Sequence, residues 1–237
     1  MDPKKLADKE LLVTTSRSGK QYEYTLAAPG IHIYDNVWSD GLDFLKQLDA
    51  EGAFVREDYL FDAEGNPIPK EVGKQGVSTW INFDTPERDN MLCEKFGDVV
   101  DSYLWHYDLD PQSREWWRIS KFAVGDYFGM HPDDSYGTPR TVSMVYYPND
   151  DYEGGELEFI HFGVKLKPKA GQLFLFPSSY IYEHRITDIG EGNPRYTIVA
   201  FFCNITEQER TKRLSKLPKP YKANLRDIKV LNDPTND

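Results

Sequence analysis

The spacing of apolar residues divides the chain into a first half with helices and a second half rich in strands. Apolar and polar residues alternate over 21–25 and 31–38, a pattern typical of short strands. Apolar residues recur at helical spacing over 41–48 and over Pro86–His106, which predicts two helices. The segment 64–76 between these helices is rich in Gly and Pro and predicts a loop.

After Pro111 the pattern changes to short alternating runs separated by Gly, Pro, Asn and Asp. Many short strands at close spacing favour an antiparallel sandwich or barrel. We therefore predict a mostly β fold with flanking α-helices in one domain. Its parts are 1–114 as supporting strands and helices, 115–204 as the catalytic core, and 205–237 as a C-terminal extension. The runs are WWRISKFAV, RTVSMVYY, LEFIHF, VKLKP, QLFLFP, IYEHRI and RYTIVAFFCN.

Composition and charge narrow the classes of protein that fit this pattern. The 237 residues are 39% hydrophobic and carry a formal net charge of −11, which opposes non-specific attraction to nucleic acid or to an anionic membrane face. No apolar run approaches the roughly 18 residues that span a bilayer. The first ten residues, MDPKKLADKE, precede no apolar stretch typical of a signal peptide. We expect a soluble cytoplasmic protein, and the pattern gives no oligomeric state.

The clearest candidate chemistry lies in GMHPDD and in YIYEHRI. If the first segment is extended, His131 and Asp133 project from the same face and can share one metal ion. His184 on another strand would complete two histidines and one carboxylate, the set that holds non-haem iron with three positions open. The alternatives are a surface pair in a turn for His131 and Asp133, and a structural histidine for His184.

A candidate binding site for an acidic cosubstrate follows in RYTIVAFF. On a strand, Arg195 and Thr197 lie on one face, where a guanidinium and a hydroxyl suit the far carboxylate of a dicarboxylate. The alternative is a strand-end arginine in a surface ion pair, which contributes little to stability.

The order of these motifs resembles prolyl hydroxylases of the 2-oxoglutarate oxygenase superfamily. The resemblance covers 119–203, roughly a third of the chain. It implies a double-stranded β-helix (jelly-roll) core with N-terminal helices packed on it, and Fe(II) bound by His131, Asp133 and His184. It also implies that Arg195, Thr197 and the hydroxyl of Tyr147 bind 2-oxoglutarate. The matching motifs are KFAVGDYFGMHPDD, RTVSMVYYPND, EGGELEF, KPKAGQLFLFP, EHRI and NPRYTIVAFF.

Two features depart from the family pattern. Phe122 stands where many prolyl hydroxylases have a tyrosine that contacts the cosubstrate, and Tyr127 is the candidate to replace it. The interval from His184 to Arg195 is lengthened by GEGNP, which predicts an enlarged loop.

The resemblance implies an enzyme that uses Fe(II), 2-oxoglutarate and O2 to hydroxylate a C–H bond, with release of succinate and CO2. The expected substrate is a prolyl residue of a peptide or protein, and ascorbate is an expected reductant. A hydroxylase of a free amino acid or other small molecule is the alternative within the class. A cupin-like dioxygenase without a 2-oxo acid, and a non-catalytic jelly-roll binding protein, are the alternatives outside it.

Overall fold

The structure is a computed structural model, and it describes residues 11–54, 59–61, 67–69, 86–115, 117–134, 139–206, 208–209 and 212. Two long helices lie in these residues, α1 (Gly41–Ala50) and α2 (Pro86–His106). Both were predicted from apolar spacing, and each buries one face. No helix in the described ranges has the length and apolar character needed to cross a membrane.

Sixteen strands lie in the described residues, and every pair of neighbours is antiparallel. In chain order they are β1 (Leu11–Thr15), β2 (Gln21–Ala28), β3 (Ile31–Tyr34), β4 (Tyr59–Phe61), β5 (Pro67–Pro69), β6 (Ser113–Arg114), β7 (Arg118–Phe122), β8 (Phe128–His131), β9 (Val142–Tyr147), β10 (Tyr152–Gly154), β11 (Leu157–Phe159), β12 (Val164–Leu166), β13 (Gln172–Pro177), β14 (His184–Ile186), β15 (Ile189–Gly192) and β16 (Arg195–Cys203).

The strands form one large sheet and one small sheet, with two separate strand pairs. The large sheet has the order β1-β2-β3-β13-β9-β16-β6, and β7 also pairs with β16. The small sheet has the order β12-β11-β14-β8, and the separate pairs are β10 with β15 and β4 with β5. This arrangement confirms the predicted antiparallel β fold.

Successive side chains on the central strands of the large sheet point to opposite faces, so the core has two layers. Met144 and Tyr146 on β9 face the side of the helices, where they pack with α1 and α2. Val145 and Tyr147 face the small sheet, where Phe174 also packs. The second layer holds the functional side chains, because β16 and the small sheet contribute polar residues to it.

The N-terminal segment does more than support the core with helices. Strand β3 pairs with β13 through Ile33 and Phe174, so β1 to β3 extend the large sheet. Strand pairing therefore crosses the expected internal boundary at residue 115, and the single-domain division itself stays a prediction.

Four details differ from the sequence-based expectations. Residues 160–162 and 180–182, which were expected in strands, form 3₁₀ turns. Residues 67–69 of the expected loop pair with β4, and the rest of 64–76 lies outside the described residues. The expected enlarged loop around GEGNP is instead partly strand β15, which pairs with β10. The paired segments 67–69 and 189–192 lack the apolar alternation by which strands are recognised.

Candidate active site

Strands β8 and β14 bring the three candidate metal ligands together. His131 and His184 are direct partners in the antiparallel register of these strands, and Asp133 follows two residues after the end of β8. One ligand atom from each residue lies within 4.8 Å of the other two. Nε2 of His131 lies 3.5 Å from Asp133 Oδ1, and Nε2 of His184 lies 3.8 Å from Asp133 Oδ2. The geometry therefore brings together all three residues that the sequence singled out.

The main chain fixes both imidazole rings in the orientation that a metal site needs. Nδ1 of His131 lies 2.8 Å from the carbonyl oxygen of Gly129, and Nδ1 of His184 lies 2.9 Å from that of Tyr182. Since a carbonyl oxygen only accepts, each Nδ1 must carry the proton in these hydrogen bonds, and each Nε2 keeps a free lone pair. Burial lowers the pKa of His184, against the opposing charge of Asp133, and so favours the neutral ring.

Two serine hydroxyls form a chain of hydrogen bonds that ends on the Asp133 carboxylate. Ser143 Oγ on β9 donates to Asp133 Oδ2 at 2.6 Å, and Ser178 Oγ lies 2.8 Å from Ser143 Oγ. Burial alone would raise the pKa of Asp133, but His184, His131 and Arg140 together hold it well below its usual range. The carboxylate is therefore ionised and oriented, as a metal ligand must be.

A buried arginine braces the backbone that carries Asp133. Arg140 Nη1 donates to the Asp133 carbonyl oxygen at 3.1 Å, and its Nε and Nη2 donate to Glu115 at 2.9 and 2.7 Å. The guanidinium also lies 3.7 Å from the ring centroid of Phe201. This bidentate ion pair between Arg140 and Glu115 is buried. It therefore restrains the turn after β8 more firmly than a surface ion pair could. The sequence analysis did not single out either member of the pair.

A second group of buried polar atoms surrounds Arg195 at the start of β16. The Arg195 side chain is 0% exposed, and in the described part of the chain its three guanidinium nitrogens have no hydrogen-bond partner. The hydroxyls of Tyr147 and Tyr152 are likewise buried and unpartnered. A buried cation without a counter-ion costs several kcal/mol. The cluster therefore fits an anion, such as the far carboxylate of 2-oxoglutarate.

One cavity of about 80 Å³ joins the candidate metal ligands to Arg195. Thr197 also lines it, because residues two apart on β16 share a face. Apolar side chains cover much of the remaining wall, which limits the access of water. The residues that line the cavity are Arg118, Ser120, Phe122, Phe128, His131, Asp133, Val145, Tyr147, Leu157, His184, Ile186, Arg195, Thr197, Val199 and Phe201.

The structure does not bring Tyr127 to this cavity, and Phe128 lies there instead. On β14 the paired residues His184 and Ile186 are two apart, but their partners on β8, His131 and Phe128, are three apart. This bulge breaks the alternation along β8 and aligns Phe128 with His131. The extra residue could not be inferred from the sequence pattern.

Tyr152 is a candidate binding residue that the sequence analysis missed. It lies on β10, outside both large and small sheets, and its hydroxyl is buried without a partner. Burial raises the pKa of Tyr147 and of Tyr152, while the nearby Arg195 opposes both shifts. Both phenols are therefore protonated at neutral pH and can donate a hydrogen bond. No periodic pattern marks Tyr152, because β10 has only three residues.

Comparisons with known proteins agree with this geometry. The sequence model of the 2OG-Fe(II) oxygenase superfamily matches residues 96–203. A PKHD-type hydroxylase from Idiomarina loihiensis is 26% identical over 102 residues, which are 40% of this chain and 45% of that protein. The chain thus spans less than half the length of this curated relative.

Three solved structures share the fold. A viral collagen prolyl hydroxylase from Paramecium bursaria Chlorella virus-1, in a 2OG complex, has a TM-score of 0.55 and 17% identity, covering 73% of this chain and 95% of that one. A Pseudomonas putida prolyl-4-hydroxylase has a TM-score of 0.54 and 20% identity, covering 74% and 93%. A Trichoplax adhaerens prolyl hydroxylase, in complex with a hypoxia inducible factor peptide fragment, has a TM-score of 0.58 and 20% identity, covering 77% and 86%.

These likenesses identify the two facing sheets as the jelly-roll fold of prolyl hydroxylases. The three candidate metal ligands and Arg195 all lie within the segment that the superfamily model matches. Residues 96–203 of the chain are thus similar to the 2OG-Fe(II) oxygenase superfamily, and its fold is that of prolyl hydroxylases.

Proposed function

We propose that this protein is a Fe(II)- and 2-oxoglutarate-dependent dioxygenase that hydroxylates a C–H bond and releases succinate and CO2. The observation that carries the proposal is the shared cavity. Three oriented candidate metal ligands and an uncompensated buried arginine line the same cavity. A binding protein without catalysis has no need of this combination, and a cupin-like dioxygenase has no need of the arginine.

Each residue has a role that follows from its surroundings. His131, Asp133 and His184 would hold Fe(II) and leave three positions open for other ligands. Arg195 would bind the far carboxylate of 2-oxoglutarate through two parallel hydrogen bonds, with Tyr147 and Thr197 beside it. Bound iron and 2-oxoglutarate supply the oxidising chemistry with O2, while the protein orients the reactants and limits water.

The proposed substrate is a prolyl residue of a peptide or protein. This choice is supported by the fold, which is shared with three prolyl hydroxylases, one of them in complex with a peptide fragment. A free amino acid is the alternative that the experiment must separate from it. Ascorbate, as a reductant that keeps iron ferrous, stays a prediction from the resemblance and is tested by its addition to the same assay.

The test measures succinate formation and substrate mass with Fe(II), 2-oxoglutarate and O2. A library of proline-containing peptides is compared with free proline and with other free amino acids. We expect one peptide to gain one oxygen atom, with one succinate formed for each hydroxylation. Oxygen gain by a free amino acid alone would move the substrate to the alternative. No succinate under any condition would contradict the oxygenase proposal.

A matched pair of arginine variants makes the assay specific to the site. Arg195→Leu removes the buried cation, and we expect it to abolish succinate formation at low 2-oxoglutarate. Arg185→Leu removes an arginine from β14 that is half exposed and paired with Glu158, so we expect it to retain activity. Equal rates for the two variants would contradict the role of Arg195.

A further inference from the structure

We propose that Tyr152 is a further cosubstrate-binding group, whose hydroxyl donates to the far carboxylate of 2-oxoglutarate together with Arg195 and Tyr147. The inference rests on the proposed function, because it assigns a further residue to the polar group around Arg195, which lines the cavity. It begins with the orphaned hydroxyl. Tyr152 is 5% exposed, and within the described residues its hydroxyl has no hydrogen-bond partner. A buried hydroxyl without a partner destabilises a protein, because it has given up its hydrogen bonds to water.

The Tyr152 ring and the Arg195 side chain both pack against Gly155. A Cβ atom added to Gly155 would lie 2.9 Å from Tyr152 Cε2 and 3.0 Å from Arg195 Cδ. Gly155, at φ +64°, therefore allows the backbone to approach both side chains closely. Phe122 and Ile189 pack with the Tyr152 ring in a small buried cluster. Packing thus places the Tyr152 ring close to Arg195, whose guanidinium lowers the pKa of the phenol against the raising effect of burial.

Lys167 adds a second restraint on this strand. Its Nζ donates to the carbonyl oxygens of Tyr152 and Gly154, at 2.6 Å in both cases, and lies 3.8 Å from the centroid of the Tyr152 ring. Charge-assisted hydrogen bonds of this kind restrain the backbone more strongly than neutral ones. Lys167 is therefore a positioning residue for β10, and Tyr152 is preorganised before any ligand binds.

The free donors around Arg195 suffice to fill the acceptor positions of one carboxylate. An ionised carboxylate has about four lone-pair positions on its two oxygens. The Arg195 guanidinium can occupy two of these, and the hydroxyls of Tyr147 and Tyr152 can occupy the other two. The three groups are all buried and all unpartnered in the described residues. A carboxylate bound here would give each of the three side chains a partner and would neutralise the guanidinium, whereas a neutral end group would leave the charge uncompensated.

The experiment compares two 2-oxo acids of the same chain length on the metal-loaded protein without O2. 2-Oxoglutarate carries the far carboxylate, and 2-oxopentanoate has a methyl group in its place. Dissociation constants are measured for the wild type, Tyr152→Phe and Arg195→Leu, with Tyr180→Phe as the control. Tyr180 suits this purpose because it is 70% exposed and does not line the cavity.

We expect Tyr152→Phe to weaken 2-oxoglutarate binding about tenfold or more and to leave 2-oxopentanoate unchanged. The ligand-free variant should be no less stable than the wild type, since it loses only an unpartnered hydroxyl.

A purely structural role for Tyr152 would instead lower stability and weaken the binding of both acids alike, which would overturn the inference. If Arg195→Leu weakens 2-oxoglutarate and Tyr152→Phe does not, the inference fails and the proposed function stands. If the wild type does not bind 2-oxoglutarate, both fail.

Discussion

At the scale of single residues, the site depends on polar groups that hydrogen-bond to the candidate metal ligands. The sequence indicated His131, Asp133 and His184, because residue type and strand parity are visible in it. The hydroxyl chain from Ser178 through Ser143 to Asp133 was not visible, because it joins three separate segments. Serines are common in strands and turns, so residue type alone does not distinguish these two.

Replacement of Ser143 by alanine should weaken metal binding. The Asp133 carboxylate would lose the hydrogen bond that orients it, and loss of such a contact typically lowers metal affinity 10–100-fold. Ser143→Thr keeps a hydroxyl and a strand-compatible side chain, so it should retain most of the affinity. Titration of the apo-protein with Mn(II) measures both variants. Equal affinities for Ser143→Ala and the wild type would show that Asp133 is oriented without Ser143.

At the scale of secondary structure, alternation predicted the functional faces wherever the strand register is regular. On β16 it correctly placed Arg195 and Thr197 on one face, and on β9 it placed Tyr147 opposite the helices. On β8 the family resemblance suggested Tyr127, but the bulge turns Phe128 to the cavity. A bulge is determined by the pairing of two strands, so the sequence of one strand does not reveal it.

A buried histidine at the contact between β3 and the end of α2 should make stability depend on pH. His32 is 0% exposed, and its ring nitrogens lie 3.2 Å from the Tyr34 hydroxyl and 2.8 Å from that of Tyr107. Burial, and then the neighbouring His106, lower the pKa of His32 to about 3. The unfolded chain has an ordinary histidine pKa and therefore binds a proton first as the pH falls.

The contribution of His32 is thus fully present above about pH 6.5 and is lost as the pH falls towards 3. Between pH 8 and pH 5 it should lower the free energy of unfolding by roughly 2 kcal/mol. Urea titrations give the free energy of unfolding at pH 8 and at pH 5 for the wild type and for His32→Gln. The contribution of His32 is the difference between the two proteins in the change of this free energy from pH 8 to pH 5. An identical pH dependence in the two proteins would mean that His32 is not neutral in the fold.

At the scale of the whole molecule, the pairing of distant segments determines the architecture. The sequence predicted short strands and an antiparallel fold, but it did not show that the N-terminal strands complete the large sheet. Strand β3 pairs with β13, which lies far along the chain, and local patterns carry no information on such partners. Strands β10 and β15 were not predicted for the same reason, since their pairing joins separate parts of the chain. Strand β10 carries Tyr152.

If the N-terminal strands are integral to the fold, shortening a buried side chain within them should destabilise the whole molecule. Ile31 is 0% exposed and packs between the sheets, so Ile31→Ala should cost about 2–5 kcal/mol in the free energy of unfolding. Leu11→Ala in the same segment should cost little, because Leu11 is 54% exposed. Denaturant unfolding measures both. A small and equal cost would mean that the N-terminal strands fold apart from the core.

The most direct test of the central claim is anaerobic addition of Fe(II) and then 2-oxoglutarate to the apo-protein, followed by visible absorption. We predict a weak charge-transfer band from the bound 2-oxo acid. The band should be absent in Asp133→Ala, and in Arg195→Leu it should require far more 2-oxoglutarate. Iron binding without a band at any 2-oxoglutarate concentration would contradict the claim that the metal ligands and Arg195 form one cosubstrate site.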